Sequence, residues 1–585
     1  MFKLLKKLTK IDWLFFVLSI GLIALQVWLD LKLPDYTTKI SELLRTGGSV
    51  NSILAQGGYM LACAAGSLAG AVVVGFLFSS ISANFSKNVR RQVYTKVQSL
   101  SMEEISRFST ASLITRTTND ITNVQMLIAM GMQLLIKAPI IVIWGIIKIL
   151  NKSWQWSALT GAAVAVIVVT VLVIMLLVFP KFKKVQGYID DINNVTKEQL
   201  TGIRVVRAFN AEGYQENKFE QKNNILTKTQ IFNQRTMGFL NPVMYFVLNT
   251  LSLGIYWLGA YLINGATLSN VAILQDDMIA FFSYATQIIS AFVMLIMIFI
   301  MWPRASVSAK RINEVLSANS KIVSGTFNGQ TEERGVIEFK NVSFKYPDSD
   351  EYMLKNISFK ANTGDTIAFI GSTGSGKSTL VNLIMRFYDC TEGEILIDGV
   401  NIKDYDLPTL YNKLGYVPQK AVLMAGTINS NVAFGENGAE AIGEDAVKQA
   451  IRIAQSTDFV EKMPGSYEGN VAQGGTNLSG GQKQRISIAR AIARNPEIYI
   501  FDDAFSALDY QTDYNLRTEL KKHTKNATNV IVAQRIGTIM NADTIVVLER
   551  GECVGIGTHR ELLKSCKTYK EIAYSQLSKE ELENA

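Results

Sequence analysis

Six apolar stretches, each long enough to cross a bilayer, fill the first half of this chain, at about residues 12–32, 57–82, 128–150, 155–179, 239–264 and 279–302. A spanning helix needs about 20 mostly apolar residues, and inside hydrocarbon every backbone polar group must be satisfied within the segment itself. Beyond residue 302 such runs stop, and the rest of the 585 residues alternates strand and helix patterns of a soluble kind. The fold class expected is an α-helical membrane domain of six spans fused to an α/β domain. Where GVIEFKNVSFKY begins to alternate like a strand, the boundary falls near residue 325, giving domains over 1–325 and 326–585.

Charge fixes the expected topology. The connection over 83–127 carries Lys87, Arg90, Arg91, Lys96, Arg107 and Arg116, and in the connection over 180–238 basic residues outnumber acidic ones. Between the third and fourth spans lies only NKSWQ, and GATLSNVAILQDD between the fifth and sixth contains no basic residue. The positive-inside rule makes the two long connections and both termini cytoplasmic. The net charge of +8 follows this topology instead of forming one basic patch, so nucleic acid is not an expected partner. MFKLLKKLTK has the charge of a signal peptide, but the apolar run behind it is too long and lacks a small-residue cleavage site, so it reads as an interfacial segment ahead of an uncleaved span.

The long connections are themselves helical in pattern, so the spans are expected to continue as long helices, with short crosswise helices at FSTASL (108–113) and AEGYQE (211–216). Lys137, in the third apolar stretch, reads as snorkelling at the inner interface. Met278, Phe281, Phe282, Phe292, Met294, Met297 and Phe299 give the sixth span an adaptable surface that suits varied apolar ligands, and equally helix packing or lipid contact. Cys63, Cys390, Cys553 and Cys566 have neither metal-ligand spacing nor the density of a disulfide framework, and no function is assigned to them.

The soluble half carries phosphate chemistry. IAFIGSTGSGKST runs from an apolar strand through a glycine-rich turn into a helical pattern, the context a P-loop requires. Along Gly371, Ser372, Thr373, Gly374, Ser375, Gly376, Lys377, Ser378 and Thr379, the glycines let backbone N–H groups wrap phosphates. Lys377 sets a cation between the terminal two, and Ser378 offers a hydroxyl to Mg²⁺. Ile498–Phe501 form a buried-strand pattern ending in Asp502, assigned to Mg²⁺ through coordinated water. Gln419, after the strand-like LGYVP, is in reach of the metal or the attacking water, and Tyr346 is placed to stack on adenine. Ser479, Gly480, Gly481 and Gln482 open a second helix, an anion site by geometry. The chain's own P-loop already holds its phosphates, so this second site is expected to serve a nucleotide on another subunit.

These strings together resemble the ATP-binding cassette (ABC) family: Walker A at 371–379, Q-loop Gln419, signature 478–482, Walker B 498–502 and D-loop 506–509. Six spans ahead of the cassette resemble an exporter half-transporter. The resemblance implies ATP and Mg²⁺ as cofactors and pairing with a second half-transporter so that each signature faces the other P-loop. It further implies membrane lipid as surroundings, a small amphipathic substrate, and a bacterial plasma membrane as location. The bends near residues 108 and 211 would be its coupling helices.

Two positions depart from the family pattern. Asp503 stands where the family's general base is a glutamate, and Gln534 stands where it has a histidine against the terminal phosphate. Aspartate is one methylene shorter, and glutamine can donate a hydrogen bond but cannot carry charge or accept a proton at that step. With QGGTN (473–477) ahead of the signature, the chain resembles the degenerate-site subunit of heterodimeric multidrug exporters. Hydrolysis is then expected mainly at the composite site that joins the partner's P-loop to this chain's signature. A homodimeric exporter of lipid or peptide using Asp503 as a slow base, and a sensor or channel gated by ATP occupancy, are the other readings.

Overall fold

The computed structural model describes residues 1–150, 154–265, 268–435 and 441–578, so the two short connections NKSWQ and GATLSNVAILQDD lie partly outside the described residues. The chain divides into two compact units, residues 1–98 with 111–317 and residues 99–110 with 318–585.

The first unit is all helical. Among the described residues six helices are long and apolar enough to cross a membrane: Lys10–Arg45, Val50–Gln98, Thr110–Leu150, Trp154–Thr201, Glu212–Asn264 and Val271–Ser317. Their apolar faces interlock through residues such as Phe78, Phe85, Trp156, Phe281 and Ile288, all nearly inaccessible. Phe281 packs on Trp156 with ring centroids 5.5 Å apart, so this member of the sixth-span aromatic set is a packing residue, whereas Met297 is more than half exposed. The Phe299 side chain lies outside the described ones.

Polar residues cross-link these helices where the sequence reads as nearly uncharged. Lys137 does not snorkel free: its ammonium lies 3.5 Å from Asp30 on the first helix, and its side chain is only 17% exposed. Asp30 also accepts from Ser67, while Asp35 takes Lys148 at 2.7 Å and the Tyr284 hydroxyl. Lysine inside an apolar bundle is costly unless paired, so a carboxylate on the neighbouring helix decides its direction.

The short helices expected in the long connections also start elsewhere along the chain. The first is Met102–Phe108, and it ends where FSTASL begins, because Ser109 takes a left-handed φ of 58° and a new helix starts at Thr110. Ser101 and Glu104 form a capping box, and that S-x-x-E pattern sets the start of the helix. The second is Ile203–Ala208, and AEGYQE is instead the entry into the long helix Glu212–Gly238.

The second unit is built on a six-stranded sheet: β1 (Thr366–Gly371), β2 (Leu414–Val417), β3 (Ile498–Asp502), β4 (Thr528–Val532), β5 (Thr544–Glu549) and β6 (Glu552–Gly557). Its order is β6-β5-β1-β4-β3-β2, with all neighbours parallel except β5 and β6. β3 and β4 are buried at every residue, as strands covered on both faces must be. A second, antiparallel sheet contains Ile337–Phe344, Leu354–Ala361, Glu392–Ile397 and Val400–Asn401.

Candidate nucleotide site

In a parallel sheet of this kind, ligands bind in the crevice outside the carboxyl ends of the strands. Four adjacent strands deliver the sequence-predicted residues there. β1 runs into the P-loop, β3 ends on Asp502 and is followed by Asp503, Gln419 stands two residues past β2, and Gln534 two past β4. The register locks this arrangement, since Val532 pairs with Asp502 and Val417 with Phe501.

The P-loop turn depends on glycine at its first position, where a Cβ on Gly371 would lie 2.1 Å from the Leu548 carbonyl oxygen. At Gly376, φ of 102° turns the chain into the helix Lys377–Ile384. Lys377 is nearly buried and folds back over the loop, donating to the carbonyls of Gly371 and Ser372, both at 2.8 Å, and approaching Ser375 Oγ at 3.4 Å. Burial holds its pKa below the usual lysine range, against the opposing pull of Asp503 and Asp502. A Cβ on Gly374 would meet nothing within 4 Å, which leaves the mouth of the loop open above the first helical N–H groups. An open N–H cradle with a lysine behind it fits a polyphosphate.

Ser378 Oγ lies 3.1 Å from Asp502 Oδ1. Burial pushes the Asp502 carboxyl above the usual range; the Ser378 hydrogen bond opposes this and the charge of Asp503 adds to it. A hydroxyl and a carboxylate, both hard oxygen donors, fit Mg²⁺, which keeps waters and phosphate oxygens as its remaining ligands. Among the described residues no group of three or more His, Cys, Asp or Glu forms a metal cage of its own.

Three side chains meet at one oxygen. Gln419 Nε2 stands 3.3 Å and Gln534 Nε2 3.1 Å from Asp503 Oδ2. Asp503 itself has φ of 50°, a left-handed conformation that aspartate tolerates better than most residues. Its carbonyl accepts from Ser506 Oγ at 2.9 Å, which fixes the turn out of β3.

Tyr346 stands two residues past the strand Ile337–Phe344, with its hydroxyl 3.1 Å from Thr379 Oγ1 and its ring packed edge-on against Phe344 and Tyr388. Ser372 and Thr373 complete the exposed turn of the loop. Ser479, Gly480, Gly481 and Gln482 are placed apart. Ser479 caps the helix Gly480–Ala493 reciprocally with Gln482, at 2.9 and 3.3 Å, and these bonds engage no P-loop residue. Both Ser479 and Gly480 are exposed.

Two positioning contacts escape sequence reasoning. Gln484, 3% exposed, donates to the Pro418 carbonyl at 3.1 Å and so ties the signature helix to the residue before Gln419. Gln576 bonds the segment that carries Gln534. Neither leaves a local signature, because each joins a side chain to backbone far away along the chain.

With the geometry in place, the comparisons with known proteins are specific. Residues 15–292 match the ABC transporter transmembrane region family, and residues 354–506 match the ABC transporter family. An uncharacterized ABC transporter ATP-binding protein of Mycobacterium tuberculosis is 36% identical over 94% of this chain and 93% of its own length. A multidrug resistance ABC transporter ATP-binding and permease protein of Lactococcus lactis is 30% identical over 97% and 94%. A solved structure of a bacterial Atm1-family ABC exporter with ATP bound superposes with a TM-score of 0.77 at 25% identity, covering 96% of this chain and 98% of that one.

Proposed function

Since this chain belongs to the ABC transporter family, as an exporter half with both a transmembrane and an ATP-binding domain, we propose that it is the degenerate-site subunit of a heterodimeric exporter of small amphipathic compounds. The observation that carries this reading is the state of Asp503. The shorter carboxylate stands at the position of the general base, and two neutral amides donate to one of its oxygens. A general base needs a free lone pair on the oxygen that takes the proton, and the two amides occupy the lone pairs of Oδ2. Neither glutamine carries a proton away.

ATP is accordingly held at this chain's P-loop for long periods, with Tyr346 against the adenine, Lys377 and the loop N–H groups against the phosphates, and Ser378 and Asp502 holding Mg²⁺. The metal supplies neutralisation of phosphate charge. The exposed helix start at Ser479 and Gly480 serves the nucleotide of the partner subunit, so that the productive site is shared. The basic connections over 83–127 and 180–238 support a cytoplasmic location for the ATP-binding unit and both termini, and similarity to the Lactococcus lactis multidrug resistance protein supports an amphipathic cargo in a bacterial plasma membrane.

ATPase activity of the chain purified alone, against the chain co-expressed with a co-purifying second half, tests the proposal. Negligible turnover alone and robust turnover together is expected. Strong turnover alone overturns it and makes Asp503 the working base of a homodimer.

A further inference from the structure

Gln534 lies on a bend between the end of β4 at Val532 and the short helix Ile536–Ile539. Within the bend, Arg535 occupies the cap position of the short helix without a side-chain cap bond, and its guanidinium donates instead to the Ser506 carbonyl at 3.4 Å, which leaves the Gln534 carbonyl and the Ile536 N–H to be answered from elsewhere. Their partner comes from the last described helix, Lys567–Gln576. Gln576 Nε2 donates to the Gln534 carbonyl at 2.8 Å, and Gln576 Oε1 accepts from the Ile536 N–H at 2.9 Å. A carbonyl and an N–H two residues apart are what an extended backbone offers a neighbouring strand. The amide of Gln576 answers both at once.

The anchor is rigid although Gln576 itself is exposed. Tyr569 and Ala573, fully buried, stand seven and three residues before it on the same helix face. The Tyr569 hydroxyl is fixed in turn by His559 Nδ1 at 2.6 Å. An exposed glutamine would ordinarily populate several rotamers, and the two bonds select one.

The geometry points to Gln576 as the positioning residue of Gln534: the helix Lys567–Gln576 aims Gln534 at Asp503 and the terminal phosphate through the Gln576 amide. This rests on the proposed role of Gln534 in ATP retention and adds the element that controls it. Only an amide of this length serves. Glutamate would still accept from Ile536 but would face the Gln534 carbonyl with a second oxygen, and leucine would leave both backbone groups without the side chain.

Release of α-phosphorus-labelled ATP from the full-length pair tests it. A slow phase that disappears in Lys377→Ala belongs to this chain's P-loop. Gln576→Glu should quicken that phase about tenfold, as the loss of one or two hydrogen bonds predicts. Gln534→Ala should do the same, and the double variant should release no faster than either single one. The fast phase and the unfolding temperature should stay as in the parent. Gln576→Leu should in addition raise hydrogen exchange at the Ile536 amide. An unchanged slow phase in Gln576→Glu, or effects that multiply in the double variant, overturns the inference. If the parent shows no slow phase at all, it is the retention reading that fails, and the same double-variant cycle is then read on kcat, where independent effects overturn the positioning role.

Discussion

Gln534 Nε2 sits 3.1 Å from Asp503 Oδ2, so the two residues that depart from the family pattern are bonded to one another. Their effects are therefore not separable. Asp503→Glu alone should leave hydrolysis at this site well below that of the partner site, because the longer carboxylate still meets an amide donor and a neighbour that cannot share a proton. A shift of about 1 Å in a catalytic group costs around 10²-fold, and adding Gln534→His should recover more than the sum of the single changes. Single-turnover hydrolysis in the purified pair reads this directly. Full restoration by Asp503→Glu alone would show that Gln534 has no joint role.

Gly480 offers a clean test of the shared site. A Cβ there meets nothing within 4 Å, so a side chain is accommodated without disturbing the chain's own fold. Gly480→Asp should leave the unfolding temperature unchanged, since a carboxylate at a helix N-terminus is favourable. It should nonetheless lower ATP turnover of the pair by about 10²-fold or more, through repulsion of the partner's nucleotide, while ATP retention at this chain's P-loop persists. Turnover at the parental level would mean that this helix start faces no nucleotide.

What was legible in the sequence follows physical locality. The P-loop and the Asp502 strand could be read because β1 and β3 are buried on both faces and appear as unbroken apolar runs next to glycine or aspartate. The short helix at Met102–Phe108 is legible in its Ser101–Glu104 capping pattern, whereas the bend at FSTASL points to a start six residues later, nearly two turns along. The pairing of Lys137 is not legible because its partner, Asp30, lies on another helix and no periodicity couples them. Gln576 was invisible for the same reason. Its bonds reach backbone groups some forty residues upstream, and backbone carries no residue identity to read.

Lys413 ties two acidic residues beneath the sheet. Its ammonium lies 2.7 Å from both Asp398 and Glu497, and the Asp398 side chain is fully buried. Lys413→Met would leave that carboxylate uncompensated and should cost about 3–5 kcal/mol, whereas Lys413→Met with Asp398→Asn should recover much of it. Burial lowers the lysine pKa, but the hydrogen bonds to Asp398 and Glu497 outweigh it and hold it above the usual lysine range. A raised folded value means that the contribution is complete below the unfolded value of about 10.4 and fades only as pH climbs past it. Thermal unfolding should therefore show the same deficit at pH 7 and pH 9. A deficit that vanished between them would contradict the pairing.

The same logic applies inside the helical unit, where a partner matters more. Asp30 and Lys137 face each other at 3.5 Å from two helices, and the Gln287 amide reaches the Asp30 carbonyl at 3.3 Å from a third. In an apolar bundle an unpaired charge is driven toward water or neutralised, and either response displaces the helix that carries it. Lys137→Met should therefore reduce substrate-stimulated ATPase of the pair and lower its unfolding temperature in detergent by several degrees. Adding Asp30→Asn, which removes the stranded charge but keeps the acceptor for Ser67, should restore both readouts toward the parent. If Lys137 merely snorkelled to an interface, Lys137→Met would be mild and Asp30→Asn would not rescue it. The rescue thus separates an ion pair that organises the bundle from a lysine that happens to stand in it.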